Sequence, residues 1–236
     1  MKQLIFVTQS KGGAGKSILA YLLAEKYPDA MVVDMDDATK TTTKNLSYRD
    51  PLYIKFLNKS NTIDRGAFDE FLEMVPEMAH DIIFCDMGAS VSEQLPYYLK
   101  DNNMILDEAL KALDVNLQIF CVIGGGNLFT STMKYLSDLV DSVDGKIPVT
   151  VFKNDYHWFN EGQEAQYAKY LKSRALPGYN FTVSKDRNEI TQNRIRAVLE
   201  AGNGIKNAKM FSRAYFTTAM KSLPDISQEK IAEEKK

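Results

Sequence analysis

The sequence predicts a doubly wound α/β domain, a mostly parallel sheet with helices on both faces, and three observations carry that reading. A strand-like apolar run, Leu4-Ile5-Phe6-Val7, leads through a glycine-rich loop into a stretch of helix formers, Ile18 to Ala24. Further short apolar runs follow at 30–33, 82–85, 116–123, 147–152 and 179–183. Between them lie segments with apolar residues at helical spacing: Phe68, Phe71, Leu72 and Val75 within 64–78, Leu128, Leu136, Leu139 and Val140 within 128–143, and a further helix over 161–173. Ligands of an open parallel sheet gather at the C-terminal ends of its strands, so the residues that close these runs are candidates for chemistry.

The first such closure is Ser10-Lys11-Gly12-Gly13-Ala14-Gly15-Lys16-Ser17. Three glycines let the backbone turn sharply and aim N–H groups inward, and the helix start adds partial positive charge. Lys16 supplies an ammonium and Ser17 a magnesium-ligating hydroxyl, so the loop is suited to hold a phosphate. The strict pattern G-x-x-x-x-G-K-[ST] wants glycine where Ser10 stands. Lys11 to Ser17 instead read K-G-G-x-G-K-[ST], and here the chain resembles the ParA/MinD superfamily of P-loop ATPases, whose deviant Walker A loop has this form at every fixed position. The resemblance implies ATP and Mg2+ as cofactors, with Gly12, Gly13, Ala14, Gly15, Lys16, Ser17 and Ile18 around the nucleotide. It also implies a homodimer in the ATP state, in which Lys11 reaches the partner's ATP.

Two more strand ends fit that scheme. Ala30-Met31-Val32-Val33 runs into Asp34-Met35-Asp36-Asp37, and Ile82-Ile83-Phe84-Cys85 into Asp86-Met87-Gly88. The second has the Walker B form, whose aspartate reaches magnesium. The resemblance implies Asp36 as the residue that orients the attacking water, with Asp34 nearer the outer shell of the metal, so the expected metal residues are Ser17, Asp86 and Asp36 and the expected catalytic ones Lys11, Lys16 and Asp36. The family's proline and glutamine after that second aspartate are replaced by Asp37 and Ala38. The polar stretch 38–44 lacks periodicity and reads either as a switch loop, with Thr42 where relatives carry a threonine, or as an ordinary surface loop. Leu52 to Leu57 is ambiguous between strand and short helix. Asn154, after the 147–152 strand, matches the family asparagine that bonds the adenine edge; as a turn residue it is equally at home. Tyr156-His157-Trp158-Phe159 reads first as a lid on the sheet edge, the alternative being base stacking or a partner surface, and Gly124-Gly125-Gly126 as a place where bulk would block a ligand or partner.

Composition bounds the rest. The chain has 236 residues, 44% of them hydrophobic, and a formal charge of −2, compatible with one domain over 1–223 followed by a polar tail over 224–236. Cys85 and Cys121 both lie in strand-like runs and read as reduced core residues, and neither they nor His80 and His157 have the spacing of a metal site. Lys2 followed by only a strand-length apolar run argues against a signal peptide, and no stretch approaches the ~20 apolar residues of a membrane span. The tail carries only Ile226 and Ile231 as bulky apolar residues, too little for a membrane-inserting helix of the MinD kind. Between Lys185 and Lys221, eight basic residues face three acidic ones. By analogy with ParA relatives, Arg194, Arg196, Lys209 and Arg213 are candidate DNA-phosphate contacts, the alternative being a solvated helix face.

Asp86-x-Gly88-Ala89-Ser90, Leu95-Pro96-Tyr97-Tyr98-Leu99, Ile123 to Gly126 with Thr132, Asn154 and Glu161-Gly162 narrow the resemblance to the plasmid-borne TraL and StbB type ATPases of conjugal transfer and plasmid stability. The expected activity is slow, magnesium-dependent ATP hydrolysis by a dimerising switch of plasmid partition, stability or transfer that binds DNA nonspecifically. The alternative is a nucleotide-gated adaptor that docks on a protein of the transfer machinery without touching DNA. A bacterial cytoplasmic location, on or off the nucleoid and away from membrane, is expected. Nitrogenase iron proteins need bridging cluster cysteines that Cys85 and Cys121 do not resemble, and biotin-pathway synthetases a substrate carboxylate site that the sequence does not show.

Overall fold

The computed structural model describes residues 1–226. Its core is one seven-stranded sheet with β1 (Lys2–Thr8) at the centre, between β4 (Ile82–Met87) and β5 (Val115–Ile123). Beyond β4 lie β2 (Met31–Met35) and β3 (Leu52–Tyr53), and beyond β5 lie β6 (Val149–Asn154) and β7 (Gly178–Phe181). Every strand pairing is parallel, which makes the described sheet wholly so. The chain leaves β1 toward one edge and crosses to the other only after β4, placing the end of β1 at the crevice where doubly wound folds bind ligands. Register sets the site: Val7 and Asp34 both lie level with Asp86.

Successive residues of β1 feed opposite cores, as a period of two requires when both faces are covered. Leu4 and Phe6 join one apolar layer with α3 (Arg65–Met74), α4 (Ala89–Ala112) and α5 (Phe129–Val143). Ile5 and Val7 join the other with α1 (Lys16–Lys26), α7 (Glu189–Ala201) and α8 (Met210–Lys221). Leu19 to Ala24 are all fully buried, so α1 is apolar all round rather than amphipathic. Helix α6 (Glu161–Arg174) starts with a capping box in which Asn160 and Gln163 satisfy each other's backbone N–H groups.

The structure amends several sequence expectations. The stretch 38–44 is not loop throughout, since a short helix, α2, spans Thr41–Asn45. Ambiguous 52–57 resolves into the two-residue strand β3, with Leu57 bridged antiparallel to Ile63. The helix expected to Met78 ends at Met74 and tightens into a 3₁₀ turn over Val75–Glu77, where Pro76 lacks the N–H to continue it. Gly125 leaves room for the aromatic loop rather than for a ligand: a Cβ there would meet the Trp158 carbonyl oxygen at 2.4 Å. The tail expected from Pro224 is at first docked, for Ile226 is buried and its N–H donates to the Tyr27 hydroxyl at 2.8 Å. The rest of that tail, 227–236 with Ile231, lies outside the described residues. No described helix is long and apolar enough to cross a membrane.

Candidate nucleotide site

The loop between β1 and α1 is shaped by backbone that few residues other than glycine adopt. Gly15 caps α1 at φ +111°, and a Cβ there would stand 2.3 Å from Asn154 Nδ2. Both the turn and the close approach of β6 therefore need glycine. The first residue of α1, Lys16, is buried, and burial draws its ammonium below the ordinary lysine value while Asp86 and then Asp36 pull it back. A desolvated ammonium at a helix N-terminus, within the field of two carboxylates, suits an anion brought in with a cation. Lys11, by contrast, is exposed at the loop tip, with its N–H donated to Gln9 Oε1 at 3.3 Å.

Asp86, at the end of β4, is buried and its carboxyl is pushed up to about 6, chiefly by that burial. Hydroxyls of Thr42 and Ser17 and the Lys16 ammonium act against the rise, and Asp34 adds to it. Oδ2 accepts the Thr42 hydroxyl at 2.6 Å; Oδ1 is buried with no hydrogen-bond partner. An orphaned carboxylate oxygen beside a serine hydroxyl suits a hard divalent cation, which takes oxygen ligands. Among the described residues no three His, Cys, Asp or Glu side chains gather as a metal cage. Ser17 and Asp86 thus fit magnesium of the kind completed by phosphate and water rather than by protein alone.

The acids after β2 serve the loop that follows them. Asp34, expected near the outer shell of the metal, is committed elsewhere: Oδ1 accepts the Asp36 N–H at 2.9 Å and Oδ2 accepts both the N–H and the hydroxyl of Thr43 at 2.7 Å. Asp36 accepts the Ala38 N–H at 3.0 Å on Oδ1 and the Thr39 hydroxyl on Oδ2. It packs against Gly88, where a Cβ would meet its Cα at 2.8 Å, so it stands between Lys16 and the turn after β4. Thr42, one of the candidates in the polar stretch, bonds Asp86 directly.

Asn154 closes the other side. Its Nδ2 donates to the Ala14 carbonyl at 2.9 Å and its Oδ1 accepts the Tyr156 N–H at 3.1 Å. The amide suggested for the adenine edge is here the brace that fixes the loop to β6. His157 adds a second brace, with Nε2 at 3.1 Å from the Gly13 carbonyl oxygen, and burial lowers its pKa. Beside them opens a cavity of about 270 Å³ lined by Gly15, Ile18, Asn154, Tyr156, Gln192 and Arg196 among others. Its size and its place next to the loop suit a nucleotide base.

The four candidate DNA contacts are all exposed but do not share one role. Arg196 lines that cavity, and the Arg213 guanidinium is turned onto the Lys206 and Ala208 carbonyl oxygens. Arg194 lies on α7 and Lys209 immediately precedes α8. Sequence reasoning missed Gln9, whose signal was an amide standing between an apolar strand and the loop lysine, and it placed Thr43 and His157 only as members of the polar stretch and of the aromatic group.

A parallel sheet whose central strand runs through a glycine loop into a helix, with the helix's first lysine buried beside an aspartate of the next strand, defines a P-loop nucleotide-binding fold. No family model matches the chain. Two proteins named TraL from Escherichia coli match it at 27% identity over 179 residues, covering 73% of this chain and 71% of theirs, and at 26% over 162 residues, covering 66% and 64%. A plasmid partition protein of Borrelia burgdorferi B31, solved bound to AMPPNP, superposes with a TM-score of 0.54 at 15% identity, covering 94% of this chain and 98% of that one. The MinD cell division protein of Aquifex aeolicus gives 0.51 at 10% identity, with 97% and 100% coverage. The chain is thus similar in sequence to the TraL proteins and shares its fold with the plasmid partition protein and with MinD.

Proposed function

We propose that the protein is an ATP-dependent dimerising switch that hydrolyses ATP slowly and serves plasmid partition, stability or conjugative transfer. The observation that carries this reading is the buried Lys16–Asp86 pair at the loop, with Asp86 Oδ1 left free for a cation. Gly12 to Ser17 would surround the phosphates and Ile18 flank the nucleotide, with Lys16 offsetting phosphate charge. Ser17 and Asp86 would hold Mg2+, which supplies charge neutralisation on the phosphate oxygens when bound. Asp36, released from Ala38 and Thr39, would orient the attacking water; its charge is already felt at Lys16. The exposed Lys11 would be free to meet the nucleotide of a second copy. The AMPPNP-bound neighbour and the TraL relatives support nucleotide binding and a plasmid role.

Titration with a fluorescent ATP analogue tests the site. Lys16→Ala should abolish binding, and Asp36→Ala should bind but not turn over. Unchanged affinity in the first variant removes the proposal; normal turnover in the second shows that another residue orients the water. Sedimentation with ATP and Mg2+ under conditions that block turnover should show a dimer that ADP does not support.

A second reading, a nucleotide-gated adaptor without direct DNA contact, is favoured by the commitment of Arg196 to the cavity and of Arg213 to backbone carbonyls. DNA binding over a salt series, with and without ATP, separates the two. Phosphate contacts must weaken steeply as salt rises, and Arg194→Ala should reduce the slope by about one.

A further inference from the structure

We infer that Gln9 is the residue that positions Lys11, an inference that rests on the proposed role of Lys11 at the nucleotide. Gln9 is fully buried at the point where β1 gives way to the loop. An apolar residue would stabilise that position more simply, since a buried amide is tolerated only when its polar atoms are satisfied. Here they are all used. Nε2 donates to the Val122 carbonyl at 2.7 Å and the Thr132 carbonyl at 3.3 Å. Oε1 accepts the Lys11 N–H at 3.3 Å and the Ser10 hydroxyl at 3.4 Å. Two carbonyl acceptors facing Nε2 leave no freedom to exchange the two ends of the amide, so the acceptor must face the loop.

The consequence is directional. The first residues after a strand are otherwise free to turn, yet the Lys11 N–H is tied to an amide anchored on β5 and on α5. That bond fixes the backbone from which the Lys11 side chain leaves the loop. The Gln9 backbone N–H donates to Ser92 Oγ at 3.3 Å, and that hydroxyl donates to the Met87 carbonyl at 3.2 Å. The bearing that sets Lys11 is thus also tied to the residue after Asp86. The phosphate cradle from Gly12 onward is braced separately, by Asn154 on Ala14 and His157 on Gly13. Loss of the Gln9 amide should therefore disturb Lys11 and spare nucleotide binding.

The test compares Gln9→Met, which keeps the length and apolar volume of the side chain but removes its amide, with Lys11→Ala, using the full chain with ATP and Mg2+. Expected are KM and analogue affinity within about threefold of the parent in both variants, kcat at least tenfold lower in both, and ATP-dependent self-association lost in both. If Gln9→Met fails to fold, Gln9→Asn takes its place, because its amide is one methylene too short to hold Val122 and Lys11 together. Parent-like kcat in the Gln9 variant while Lys11→Ala is impaired overturns this inference alone. A Gln9 variant that loses nucleotide affinity in step with kcat also overturns it, since that is the mark of a collapsed cradle. Parent-like behaviour of Lys11→Ala removes the proposed role of Lys11, and the inference falls with it.

Discussion

Replacing Thr42 with valine removes one hydroxyl and almost no volume, so its effect isolates the bond to Asp86. That bond is buried, 2.6 Å long, and foremost among the influences that restrain Asp86 at about 6 against its burial. A hydrogen bond to a charged group contributes about 1.5–3 kcal/mol. The carboxylate has an escape, however, because a group that titrates near 6 needs only about 2 kcal/mol to take a proton at about pH 7.5. Because the protonated variant has also lost the bond between neutral groups, about 1 kcal/mol, protonation caps the loss at about 3 kcal/mol. At about pH 5.5 the parent carboxyl is already mostly protonated, and the lost bond is one between neutral groups, worth about 1 kcal/mol. In a domain of this size 1 kcal/mol moves Tm by about 2–4 °C. The ligand-free variant should therefore melt up to about 6–12 °C below the parent at the higher pH and about 2–4 °C below it at the lower. Calorimetry of both proteins at the two pH values checks this. A deficit that does not shrink on acidification would refute the idea that Thr42 supports the ionised form of Asp86.

Asp86→Asn should stabilise the ligand-free protein. Its carboxyl value is raised by folding from 3.8 to about 6, so the folded state binds the proton more tightly and ionisation destabilises it. Stability from this group is lost as pH rises from about 4 through about 6, to a total near 3 kcal/mol, and the asparagine variant should lack that part of the pH dependence in melting curves while losing magnesium-dependent nucleotide binding. Gly15→Ala forces a methyl at φ +111° toward Asn154 Nδ2, at a cost of about 1–3 kcal/mol in backbone strain alone; a reduced Tm together with weakened analogue binding is expected. Tyr27→Phe leaves the Ile226 N–H without its acceptor and should lower stability by about 1 kcal/mol, read from denaturant midpoints with nucleotide affinity unchanged.

How far the sequence could be read depended on whether position was set locally or by distant chain. Strands were legible because Leu4 to Val7, Ile83 to Cys85 and Ile119 to Ile123 are buried apolar runs, rich in β-branched and aromatic residues and too short for helices of their own. The loop was legible because its glycines and lysines must be contiguous. Helix α2 was not, because five residues are too few to fold by propensity and what holds them comes from β2 and β4. Gln9 was not legible, because its partners on Val122 and Thr132 lie more than a hundred residues away in the chain. The basic surplus near the C-terminus was countable but not orientable: charge composition does not say that Arg196 faces a cavity or that Arg213 turns back onto backbone. Ile226 was read as tail because one apolar residue makes no pattern, while the Tyr27 hydroxyl that receives its N–H lies at the opposite end of the sequence.

The arrangement of α2 bears on what kind of switch this site permits. The helix enters from Lys40 in the left-handed region and ends at Leu46, which is fully buried in the apolar layer shared with α1. Its hold on the sheet is polar: Thr42 on Asp86 of β4, and Thr43 twice on Asp34 of β2. These two carboxylates are cross-strand neighbours in register, so the two threonines grip adjacent strands at one level. The two grips are not equivalent. Asp34 spends both oxygens on protein N–H and hydroxyl groups, whereas Asp86 keeps one oxygen unpartnered and sits within the field of Lys16. A change in charge around Lys16 therefore acts on the Thr42 grip and leaves the Thr43 grip in place. The first turn of α2 is thus tied at one residue to the site and at the next to the scaffold, while Leu46 at its end is held in the core, so a change at the site reaches this helix through Thr42.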